Sequence, residues 1–157
     1  MHEVFEHVRN LIAAETNNRV QLIRDYDPSL PEFLYDKDQL IQAVLNIMRN
    51  ALQAATDPAE CVITLRSRAQ RHMTVGAKQH RLGCRIDIID NGHGIAADLR
   101  DSLFIPMVSG RPEGSGLGLS ISQAIVNRHN GLIESHSEPG CTEFNLYLPL
   151  DMNHATT

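Results

Sequence analysis

Apolar residues at steps of three and four, Val4, Phe5, Val8, Leu11 and Ile12, predict a helix over residues 2–16. Val20 to Tyr26 reads as a strand, closed by Asp27-Pro28. Pro28 and Pro31 keep the next stretch extended or turning, and a short strand is expected around Phe33–Tyr35. A second helix, capped by Asp36 or Asp38, is predicted to run to about Ala55. Leu40, Ile41, Val44, Leu45, Ile47, Met48, Ala51 and Leu52 make it apolar over most of its circumference, so it is expected to be largely buried. Cys61–Arg68 and Cys84–Ile89 are strand-like. The polar stretch between them, 69–83, carries Gly76 and reads as a hairpin or loop projecting from two paired strands. A Gly-rich irregular region follows over 91–116, then a helix over about 117–129, ended by Gly131. Strands are predicted at 132–137 and 142–148, and a frayed tail at 151–157.

This order places about three helices on one face of a mixed β-sheet, a two-layer α/β sandwich forming one domain over 1–157. The 157 residues suffice for one sizeable core. Trp is absent and aromatics are 4%, so Leu, Ile, Val and Ala must fill the interior. A net charge of -5 argues against a general nucleic-acid or anionic-membrane surface but leaves room for a local phosphate site. Cys61, Cys84 and Cys141 lie far apart with no C-x-x-C pair, which suits reduced thiols rather than a disulfide framework or zinc. No apolar run approaches the roughly 18 residues of a membrane span, and no signal peptide is legible at the start. A cytoplasmic location is expected.

Four groups of residues carry candidate chemistry. On the helix over 37–55, Gln42, Asn46, Arg49, Asn50 and Gln53 form one polar stripe. Water or neighbouring backbone satisfies such a stripe in one reading. In the other, Asn46 and Asn50 face a ligand cavity, where an amide oxygen suits Mg²⁺. Asp90-Asn91-Gly92-His93-Gly94 follows a strand. It is either a simple Asn-Gly turn or a carboxylate placed to accept from an exocyclic amino group beside exposed backbone. Gly114-Ser115-Gly116-Leu117-Gly118-Leu119-Ser120 opens a helix. It reads equally as a flexible connector or as a phosphate cradle of unpaired N–H groups. A dinucleotide fingerprint would need glycine where Leu119 stands, and a P-loop would need a lysine that this segment lacks. Between these, Phe104 and the residues around it form an apolar anchor before a Gly-flanked, lid-like segment. Arg111 in that lid is either a phosphate contact or a solvated arginine.

Taken in order, these motifs resemble the Bergerat-fold ATPases, specifically the catalytic domain of sensor histidine kinases. Asn46 to Ala51 looks like the N box, Asp90 to Gly94 like the first glycine box, Phe104 like the F box and Gly114 to Leu119 like the second glycine box. Gly140-Cys141-Thr142-Glu143-Phe144 fits the closing Gly-x-Thr-x-Phe segment. The likeness covers about Asp36 to Leu148. The segments 22–31, 106–111 and 69–83 further resemble the nitrogen-regulation branch of these kinases.

The resemblance implies ATP and Mg²⁺ as cofactors. Asn50 would bind the metal with Asn46 nearby, and this pair is the catalytic assignment. Asp90, helped by Thr142, would read the adenine amino group. Gly92 and Gly94 would shape the adenine pocket. Gly114, Ser115, Gly116, Leu117, Gly118 and Leu119, with Arg111, would wrap the triphosphate. Implied partners are a dimerisation and phosphoacceptor domain of the same protein, a response regulator of the NtrC type and a PII regulatory protein.

Two departures stand out. His93 occupies a place where proline is usual, and Gln53 replaces a common basic residue, moving one phosphate contact away or to Arg49. Asn46 stands where hydrolysing relatives of this fold carry a glutamate base. An amide cannot take a proton from water, so hydrolysis as in chaperone or topoisomerase ATPases is disfavoured. None of the eight histidines has a phosphoacceptor context, so transfer to a histidine outside the chain is expected. A non-catalytic nucleotide-sensing and docking module is the alternative.

Overall fold

The computed structural model describes residues 1–55, 57–92 and 118–150. Helix α1 spans His2–Glu15 and buries Val4, Phe5, Val8 and Ile12 along one stripe. Strand β1 spans Gln21–Asp25. The stretch around Phe33–Tyr35, expected as a short strand, contains none. Phe33 and Tyr35 instead pack on each other at 4.9 Å between ring centroids, after a stretch that Pro28 and Pro31 keep out of a ladder. Helix α2 spans Lys37–Ala54. Of the two candidate caps, Asp36 is the one used, accepting from Gln39 N at 3.0 Å.

Strands β2 (Val62–Val75) and β3 (Lys78–Asp90) are longer than their apolar alternation suggests. The polar 69–83 segment is mostly ladder, paired from Ala69↔Cys84 out to Val75↔Lys78 around a tight turn at Gly76, φ +61°. Within it His72 takes φ 56°, a left-handed kink. Helix α3 spans Gly118–Arg128, and strands β4 (Leu132–Glu138) and β5 (Cys141–Pro149) close the described chain.

The five strands form one sheet in the order β1-β2-β3-β5-β4. β1 runs parallel to β2 and the other pairs are antiparallel, so the sheet is mixed. Alternate residues Ile63, Leu65, Ile86, Ile88, Phe144 and Leu146 are essentially fully buried and join Leu40, Val44, Ile47 and Met48 of α2 in one core. This is the expected two-layer sandwich, with α2 central between α1 and α3. Among the described residues no helix is long and apolar enough to cross a membrane.

Candidate nucleotide site

The buried faces bring three motif segments to one end of the sheet. Asp90 is the last residue of β3, and its register partners are Ile63 on β2 and Thr142 on β5. Both polar side chains lie on the core side, with Asp90 3% and Thr142 2% exposed. Thr142 Oγ1 stands 3.1 Å from Ser137 Oγ. A carboxylate so withdrawn from water needs hydrogen-bond donors. One is the backbone of Gly92, whose N–H donates to Asp90 Oδ1 at 2.8 Å. A Cβ on Gly92 would lie 2.9 Å from that same oxygen and 3.0 Å from Ala54 O, so a side chain there would have to displace the Asp90 carboxylate.

Asn91, between them, has a different task. Its Oδ1 accepts from Val62 N at 2.8 Å and its Nδ2 donates to Glu60 O at 2.9 Å. It clamps the start of β2, leaving recognition to its neighbours. Behind this turn a cavity of about 250 Å³ is lined by Ala55, Asp57, Glu60, Cys61, Asn91, Gly92 and Gly140. Burial pushes the Cys61 thiol up, and the charge of Asp90 adds to it. Asp57 and Glu60 make its wall acidic, and the other candidate groups lie on the α2–α3 side.

There the polar stripe of α2 divides in two. Gln42, Arg49 and Gln53 are exposed, whereas Asn46 and Asn50 are half-buried. Asn46 Nδ2 donates to Gly118 O at 3.3 Å, which sets the N-box helix against the start of α3. The amide nitrogen is thereby committed, and the oxygen, the atom a hard cation takes, is the other end. Gly118 itself is not forced by packing among the described residues: a Cβ would meet Asn46 only at 3.7 Å. Leu119 is anchored in the core. Arg49, the alternative to the basic residue absent at Gln53, carries an ion pair. Its guanidinium donates to Glu15 Oε1 of α1 at 2.6 Å, an opposite charge that the linear sequence leaves 34 positions away.

The structure thus brings Asn46, Asn50, Gly118 and Leu119 together on the α2–α3 side, and Asp90, Gly92 and Thr142 at the adjoining strand ends. Gly94, Arg111, Gly114, Ser115, Gly116 and Leu117 lie outside the described residues, as do His93, Phe104 and the 151–157 tail. Two residues were missed. Ser122 is fully buried and donates to Ala43 O at 2.9 Å, joining α3 to α2. His129 accepts the N–H of Asp36 at 3.0 Å. A serine inside an apolar helical run was the one legible sign of the first.

The profile of the histidine kinase-, DNA gyrase B- and HSP90-like ATPases matches residues 35–152, the stretch holding every one of these groups. The chain belongs to this family. ATP is the nucleotide that membership implies. The sensory histidine kinase/phosphatase NtrB of Klebsiella oxytoca is 51% identical over 150 residues, covering 96% of this chain and 43% of that protein. NtrB of Rhodobacter capsulatus is 38% identical over 151 residues, covering 96% and 42%. The chain therefore spans less than half the length of these curated relatives. Among solved structures, the catalytic domain of histidine kinase ThkA superposes with a TM-score of 0.80 at 21% identity, covering 98% of this chain and 94% of that one. The mycobacterial sensor histidine kinase MprB gives 0.77 at 24% identity, covering 96% and 95%. At such identities these two establish the fold, and they agree with the mixed five-stranded sheet and three helices described above.

Proposed function

We propose that this domain binds ATP with Mg²⁺ and presents the γ-phosphate to a histidine on a separate dimerisation segment, as part of a nitrogen-regulation sensor kinase. The observation that carries this reading is the buried Asp90–Thr142 pair beside a tight turn at Gly92, next to an N-box helix set against the start of α3. Asp90 accepts from the adenine amino group, which offers a further donor to a carboxylate withdrawn from water. Thr142 orients the ring from the neighbouring strand. Asn50, with Asn46 nearby, would hold the metal through its amide oxygen. Bound Mg–ATP supplies an electrophilic γ-phosphorus with its charge partly neutralised. The protein's share is positioning and exclusion of water.

An amide at position 46 gives no general base for water, so the phosphoryl group is kept for an incoming imidazole. The identity to NtrB supports the nitrogen-regulation branch. With that branch come a response regulator of the NtrC type, a PII protein and a cytoplasmic setting.

The test is Mg²⁺-dependent transfer from labelled ATP to a separate helical segment carrying the phosphoacceptor histidine. Labelling of that segment is expected, and Asn50→Ala should reduce it at least a hundredfold while circular dichroism stays native. ATP binding without labelling would replace the kinase by a nucleotide-sensing module.

A further inference from the structure

Helices α2 and α3 run antiparallel, and three hydrogen bonds fix their register. Ser122 Oγ donates to Ala43 O at 2.9 Å in the buried middle. Asn46 Nδ2 reaches Gly118 O at 3.3 Å at the site end. At the far end the backbone N–H of Asp36 donates to His129 Nε2 at 3.0 Å. His129 Nδ1 lies 2.9 Å from Ile125 O. A carbonyl only accepts and an amide N–H only donates. The proton therefore sits on Nδ1, and Nε2 is the bare acceptor. One neutral imidazole thus closes the last turn of α3 and the first turn of α2 together.

The sequence shows half of this arrangement. Asp36 and Gln39 have capping-box spacing, and Asp36 Oδ1 does accept from Gln39 N at 3.0 Å. In an isolated box the residue at the position of Gln39 would return the favour to the Asp36 amide. Here the acceptor comes from another helix.

The lever lengths give this contact a consequence. Asp36 and Asn50 each lie seven residues from Ala43, about 10 Å along the helix at the usual rise. With Ser122–Ala43 as pivot, an angular slip that moves Asp36 by about 1 Å moves Asn50 by about 1 Å the other way, enough to spoil a reacting geometry. The Asn46–Gly118 bond is the longest of the three and uses a group the site itself needs. We propose that His129 is a positioning residue. By tying the two helix ends it fixes the angle of α2, and so the place of Asn46 and Asn50 relative to the start of α3. The inference rests on the function proposed above.

The experiment compares the whole chain with His129→Ala and His129→Gln, whose amide oxygen replaces the Nε2 acceptor. Transfer to the separate phosphoacceptor segment is resolved into kcat and KM for ATP, and nitrogen-15 shifts report the imidazole tautomer and the Asp36 amide. We expect His129→Ala to lower kcat about tenfold, with the Asp36 amide shifted. His129→Gln should recover most of that rate. Wild-type rates in His129→Ala, absence of rescue by glutamine, or a proton found on Nε2 would each overturn the proposal. A wild-type chain that binds no ATP would overturn the function itself, and the intact Asp36–His129 signature in the same spectra would separate that failure from a missing contact.

Discussion

Asp27 and Asp90 show how much a single carboxylate depends on donors that fold around it. Asp27 Oδ1 accepts from Ser29 Oγ at 2.6 Å and from Ser29 N at 2.8 Å, while Oδ2 accepts from Ala69 N at 2.8 Å. These bonds, the Ser29 hydroxyl first, hold its pKa down at about 2 from an ordinary 3.8. A depressed folded pKa means that the ionised form is the stabilising one. Its contribution is whole above about pH 4 and is lost as pH falls toward about 2. Asp27→Asn should therefore flatten the pH dependence of the urea unfolding free energy across that window. A slope equal to wild type would contradict the assignment. Asp90 differs in being buried on the core side, and its motif spacing was legible. What the sequence did not show was that Gly92 supplies one of its donors. Arg49 marks the opposite limit: a stripe residue one turn from the site, taken by Glu15 of a different helix.

At the scale of elements, period and punctuation predicted the helices and strands β1, β4 and β5 to within a residue or two. The failures are physical. The short strand at 33–35 had β-prone residues, but Phe33 and Tyr35 pack on each other instead. The projecting 69–83 segment was polar because a long hairpin with few buried positions needs little apolar pattern, not because it lacked pairing. Gly131 was read as a simple helix stop, yet its constraint is tertiary. A Cβ there would sit 2.4 Å from Tyr147 O of β5, a backbone atom that cannot step aside. Gly131→Ala should cost about 2 kcal/mol of stability, the usual range for overpacking. An unshifted urea midpoint would show that the α3–β4 corner relaxes freely.

At the scale of the whole molecule, among the described residues one face of the sheet packs on the helices and the other carries a charged lattice. One cross-strand row runs Asp25, Arg66, Asp87, Asn145 and Glu134 through all five strands. Asp87 is 1% exposed, and Arg85 Nε donates to its Oδ1 at 2.9 Å and Asn145 Nδ2 does so at 2.6 Å. His136 Nδ1 extends the chain, donating to Asn145 Oδ1 at 3.0 Å. The described histidines have structural partners or stand at the surface: His129 holds Asp36, His2 meets Ser67 Oγ at 2.7 Å, and His80 is buried in the hairpin. The chain alone, incubated with Mg–ATP, should acquire no phosphohistidine by intact mass at neutral pH. A stable, acid-labile addition of one phosphate would show that an acceptor lies within it.

The order of elements, the single core and the likeness to a nucleotide-binding family followed from the sequence by itself, because helical and strand periods and glycine spacing are local properties of a chain. Tertiary structure decided which cap is used, that Arg49 belongs to Glu15, that Gly131 is fixed by β5, and that Ser122 and His129 tie α3 to α2. Those outcomes rest on contacts between residues tens of positions apart, which no spacing along one element can express.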